Sequence, residues 1–117
     1  MDLATSSARS GIFISYRRQE TAYVAAWLYE RLTEHFGNEQ VFKDIDNIEP
    51  GDDFVEVIGS AVGSCRVLLA LIGTEWASVR DRSGTRRLDD DQDLVRLEIE
   101  AALRRKVRVI PCWCRAR

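Results

Sequence analysis

Val67-Leu68-Leu69-Ala70-Leu71-Ile72 is the stretch whose reading decides the fold. A strand with one wet face alternates apolar and polar residues. This run has no polar break, as a central parallel strand buried on both faces requires. It is far too short to span a bilayer, which takes about 20 residues. Working outward, three weaker strand signals appear: Ile12 to Tyr16, opened by Gly11, then Val41-Phe42, and a strand beginning over Val107 to Ile110. Helical periodicity lies between them. From Thr21 to Phe36, Val24, Leu28, Leu32 and Phe36 recur every four residues with Trp27 alongside, and Gly37-Asn38 ends the helix. From Phe54 to Val62, Phe54, Val55, Ile58 and Val62 share one side. A third helix is opened by Asp89, Asp90, Asp91 and Asp93 and closed by Arg104, Arg105 and Lys106, so its charges complement the helix dipole at both ends. Such strand and helix alternation predicts an α/β fold with a parallel sheet, and right-handed crossovers place helices on both faces.

The whole-chain arithmetic narrows the function classes. With 117 residues, 45% hydrophobic and 31% charged, the chain fits one ordered domain. Seventeen basic and 19 acidic side chains leave a net charge of -2, which argues against nucleic acid or a membrane as a partner. Residues 1–10 are small and polar, a flexible leader without an apolar signal core, so the expected compartment is cytoplasmic. The three cysteines, Cys65, Cys112 and Cys114, fit reduced thiols, and the C-x-C pair lacks a second Cys/His pair to complete a metal site.

Ligands of open α/β sheets bind beyond the carboxyl ends of the strands. No G-x-G-x-x-G follows the first strand and no P-loop is present. Where a phosphoryl receiver would carry acids, this chain has Tyr16-Arg17-Arg18. That arginine pair reads equally as a solvated loop or as an anion clamp. Trp76, after the third strand, reads first as packing and second as cover for a ring or a partner. The lone His35 reads as a dipole partner near a helix end. Pro50-Gly51 marks a turn within the polar loop from Asp44 to Phe54.

Two glutamates on the third helix differ. Glu100 has Arg96 and Arg104 at four-residue offsets on either side, the pattern of a salt-bridged solvent face. Glu98 has Leu94, Val95, Ala101 and Ala102 at its own offsets and borders the stripe Val95, Ile99, Ala102. A carboxylate there is expected to be partly desolvated, which raises its pKa and makes it a functional candidate. Arg17 and Arg18 become its neighbours if this helix approaches the mouth of the first strand.

The runs GIFISYRR, VFKDIDNIEPGDDF, VLLALIG, D-x-V-R-x-E-I-x-x-A-L at Asp93 to Leu103, and VRVIP together resemble a bacterial Toll/interleukin-1 receptor (TIR) domain. The resemblance covers residues 11 to 111. It implies a flavodoxin-like sheet of strand order B-A-C-D, with helices on both faces and normally a fifth strand E and a last helix. It also implies two activities: self-association with other TIR domains, as a dimer or larger homo-oligomer in signalling or defence, and NAD hydrolase activity at the nicotinamide-ribose bond, with NAD as substrate. Glu98 matches the family's catalytic glutamate. Ser15, Tyr16, Arg17 and Arg18 match the motif lining its nucleotide site, with Asp44, Ile48 and Glu49 at the end of the second strand and in the loop after it. Trp76 is the candidate to stand in for a tryptophan that some active members carry four residues before the glutamate, where this chain has Leu94. Asp46, Asn47, Pro50, Gly51, Asp52, Asp53 and Phe54 form the implied interaction loop. A non-enzymatic TIR interaction module is the alternative.

The ending PCWCRAR does not read as a strand. The expectation is therefore a C-terminally short domain over residues 11–117, lacking strand E and the last helix. The TGY-TGG-TGY codons of Cys-Trp-Cys read as apolar codons after a one-nucleotide shift, which suggests a frameshift; the alternative is a divergent natural end.

Overall fold

The structure is a computed structural model that describes residues 10–43 and 53–115. Four parallel strands form one sheet: β1 (Gly11–Ser15), β2 (Val41–Phe42), β3 (Cys65–Ile72) and β4 (Arg108–Trp113). Their spatial order is β2-β1-β3-β4. Three helices connect them: α1 (Arg18–Phe36), α2 (Phe54–Gly63) and α3 (Leu94–Arg104). This is the flavodoxin-like arrangement expected of the sequence, with the expected order of its four strands.

The deciding run lies within β3, between β1 and β4. Its alternate residues feed two cores, which is why it tolerates no polar residue. On one face Leu68 and Ala70 pack with Phe13 of β1, with Ile58 and Val62 of α2, and with Leu97, Ala101 and Ala102 of α3. On the other, Leu71 packs with Ile14, Val41 and Ala25 of α1. Helices therefore cover both faces.

The stripe by which α1 packs differs from the sequence expectation. Thr21 and Ala25 are buried, and Leu28, Tyr29 and Leu32 pack against the sheet core. Val24, Trp27 and Phe36 are exposed instead. The four-residue recurrence was real, but only its middle members, Leu28 and Leu32, lie on the packed side. Non-helical backbone at Thr21 sets the first turn off from the rest of the helix.

The end of α3 is a Schellman motif. The Val107 N–H donates to the Ala102 carbonyl at 2.8 Å and the Lys106 N–H to the Leu103 carbonyl at 3.3 Å. The motif demands a left-handed residue, and Lys106 takes it with φ of 61°. At the start, Asp93 alone is the cap, and the 3₁₀ turn Arg87–Asp89 precedes it. Asp89, Asp90 and Asp91 thus stand outside the helix they were expected to open.

Pro111, Cys112 and Trp113 belong to β4, which corrects the reading of the tail as non-strand. Cys114 still donates its N–H to the Ile72 carbonyl at 2.8 Å. By the two-residue alternation, Cys112 and Ile110 also turn their backbone groups toward β3, while Pro111 turns outward. Its missing N–H costs no ladder bond there. β4 is an edge of the described sheet, and Trp113 is 76% exposed on it. Among the described residues no helix is long and apolar enough to cross a membrane.

Candidate functional site

β1 ends at Ser15, and the chain turns through Tyr16 and Arg17 into α1. α3 starts beside that turn. Between them lies a cleft of about 170 Å³ lined by Tyr16, Arg17, Arg18, Gln19, Lys43, Arg87, Asp93, Leu94, Val95 and Glu98. It sits beyond the carboxyl end of β1, where the order β2-β1-β3 reverses direction, as open α/β sheets place their ligands.

Arg17 builds this site. It is 3% exposed, so its guanidinium must be fully paired to be tolerated there. Nη1 and Nη2 donate to Oδ1 and Oδ2 of Asp93 at 3.0 and 2.9 Å, and Nε donates to the Trp76 carbonyl at 3.1 Å. The Trp76 ring lies 5.8 Å from the guanidinium carbon. Asp93 also caps α3, accepting from the Arg96 N–H at 3.2 Å. One side chain thereby ties together the end of β1, the loop after β3 and the start of α3.

Glu98 is half-buried, one turn beyond Leu94 on the cleft side of α3. The buried stripe expected beside it is present: Val95 and Ala102 are buried and Ile99 packs against the core. Glu100 behaves as its spacing required, accepting from Arg96 Nε at 3.1 Å, though among the described residues Arg104 forms no ion pair with it.

Of the residues singled out in the sequence, Tyr16, Arg17, Arg18 and Glu98 meet in this cleft. Ser15 is buried at the end of β1, and among the described residues its hydroxyl has no hydrogen-bond partner. Trp76 lies against Arg17 and, among the described residues, is not one that lines the cleft, whereas Leu94 does line it, 47% exposed. Asp53 caps α2, accepting from the N–H groups of Val55 and Glu56. Phe54 begins that helix. Asp44, Asp46, Asn47, Ile48, Glu49, Pro50, Gly51 and Asp52 lie outside the described residues.

Sequence reasoning missed Lys43, Arg87 and the pairing of Asp93. Lys43 stands 5.8 Å from the rings of both Tyr16 and Tyr29. Arg87 was one basic residue among several in a loop, with nothing in its spacing to mark it. Asp93 did carry a signal, a cap residue before an apolar helix, but its partner is 76 positions away.

The TIR domain family profile matches residues 12–117. Among curated proteins none matches the chain. The match spans nearly the whole chain and agrees with the sheet order and the quoted motifs, so the chain belongs to the TIR domain family.

Proposed function

We propose that this TIR domain cleaves the nicotinamide-ribose bond of NAD, with Glu98 as its catalytic residue. The observation that carries the reading is the cleft itself. It brings Glu98, the glutamate set apart by its apolar surroundings, beside the Tyr16-Arg17-Arg18 turn at the end of β1. In the reaction the bond from ribose C1′ to the pyridinium nitrogen breaks, and its electron pair leaves with neutral nicotinamide. Positive charge develops on the ribose as an oxocarbenium ion. A half-buried carboxylate stabilises that charge more strongly than one in water does. Water then adds at C1′ and loses its proton, giving ADP-ribose; a ring nitrogen of the same molecule adding there would give a cyclic isomer. No metal is required, because the leaving group departs uncharged.

A second reading, self-association without catalysis, is favoured by a different observation. Tyr23 is 91% exposed and Trp27 60% on α1, and Trp113 and Ile110 are exposed on β4. Large apolar side chains in water are the ordinary material of protein interfaces. Both readings hold together if assembly activates the cleft. The test is nicotinamide release from NAD by the purified chain over a range of protein concentrations, with light scattering in parallel. Release lost in Glu98→Ala and kept in Glu100→Ala supports the enzyme. Assembly without release at any concentration supports the interaction module.

A further inference from the structure

Two arginines meet the same carboxylate, and they differ in what they have left to give. Arg17 is buried, and three of its five N–H groups are used, two on Asp93 and one on the Trp76 carbonyl. At 3% exposed it offers little surface to a substrate anion. Arg87 stands with Nε 3.6 Å from Asp93 Oδ1, its side chain a third exposed and lining the cleft. Among the described residues, its terminal guanidinium nitrogens make no hydrogen bond.

The charge count at this wall follows. Asp93 carries one negative charge and faces two guanidinium groups. Arg17 satisfies it, so Arg87 keeps excess positive charge at the rim, offset at longer range by Asp81. Its backbone is fixed: the Arg87 N–H donates to the Val79 carbonyl at 2.9 Å, and Arg80 and Arg86 bridge the loop just before it. The first turn of α3, with Leu94 and Val95 on the same wall, adds the positive end of a helix dipole. Glu98 lies four residues further along, about 6 Å of helix rise from Leu94. That is close to the length of one ribosyl phosphate.

We propose that Arg87 binds the diphosphate of a dinucleotide in this cleft, while Arg17, the arginine that the sequence motif singles out, is a positioning residue that holds α3 in place. The identity of the ligand rests on the NAD reading above; the anion site does not. Arg87 sets substrate affinity and Glu98 acts on the bond.

The experiment titrates ADP-ribose into the wild type and into Arg87→Gln, Arg87→Lys and Arg82→Gln, the last an exposed arginine of the same loop, and measures NAD kinetics in parallel. Arg87→Gln is expected to weaken ADP-ribose binding about tenfold or more and to raise KM for NAD in step, with a much smaller change in kcat. Arg87→Lys should recover part of the affinity, and Arg82→Gln should match the wild type. Thermal unfolding of Arg87→Gln should stay near that of the wild type. Unchanged binding and unchanged KM in Arg87→Gln overturn the proposal and leave the hydrolase reading intact. Binding lost in Arg87→Gln, in a chain that releases no nicotinamide, upholds the anion site and defeats the hydrolase reading. A wild type that binds no ADP-ribose at millimolar concentration defeats both.

Discussion

Both carboxylate oxygens of Asp93 accept from Arg17, at 3.0 and 2.9 Å, and neither residue is more than 5% exposed. A pair so buried is costly to break, because the remaining charge is stranded. Asp93→Ala is expected to lose about 3–5 kcal/mol of stability from the stranded guanidinium, with about 1 kcal/mol more from the lost helix cap. Denaturant unfolding checks this. A loss under about 1 kcal/mol would mean that the pair does not hold α3 against β1.

Lys106 occupies a left-handed position without being glycine. A side chain pays roughly 1–2 kcal/mol there, and glycine returns part of that in unfolded-chain entropy. Lys106→Gly should therefore stabilise the chain by about 0.5–1 kcal/mol, seen as a rise of a few degrees in Tm. A fall in Tm would show that the α3 terminus does not require this conformation.

Two glycines should respond differently to alanine. At Gly11 a Cβ would meet the partly exposed Phe42 ring at 2.8 Å and the buried Cys65 Sγ at 3.1 Å. Gly11→Ala is expected to cost about 1–3 kcal/mol. At Gly59 the Cβ would meet only the tip of the Arg105 side chain, at 2.9 Å, which can move aside. Gly59→Ala should be neutral or stabilising by up to about 1 kcal/mol, as alanine is the better helix former. Comparing the two variants by thermal unfolding tests the difference in sign.

Burial pushes the Cys65 thiol up to about 11. The unfolded thiol ionises near 8.5, so between those values the unfolded chain has lost a proton that the folded one keeps. Stability from this group is whole below pH 8.5 and is lost as pH rises toward 11, by on the order of 3 kcal/mol. Stability curves for the wild type and Cys65→Ala should converge as pH rises through that window. Curves that stay parallel would show that Cys65 ionises without unfolding. Burial also raises the thiols of Cys112 and Cys114, so slow alkylation at neutral pH is expected of all three.

The sheet was legible because its signal is local. Val67 to Ile72 needs no partner to be read as doubly buried, and the Glu98 and Glu100 contrast needs only the four-residue arithmetic of one helix. The face of α1 was read less well. Val24 and Trp27 are apolar and correctly spaced, yet they face solvent because Thr21 and Ala25 are small enough to let the helix approach the sheet. The bond from Arg17 to Asp93 was illegible for another reason: nothing in either residue's neighbourhood names a partner 76 positions away. The sequence therefore left Arg17 open between solvent and anion, and the structure gives it a third role. The tail misled because Cys-Trp-Cys lacks the usual look of a strand, although an edge position accepts both Pro111 and an exposed Trp113.

The central claim is that Glu98 acts on a nicotinamide-ribose bond. Nicotinamide release from NAD, measured side by side for the wild type, Glu98→Gln and Glu100→Gln, tests it most directly. The expected result is release by the wild type, a loss of at least about a hundredfold in Glu98→Gln, and a rate within about twofold of wild type in Glu100→Gln. Equal rates in wild type and Glu98→Gln, or no release from any of the three under conditions where the chain assembles, would contradict it.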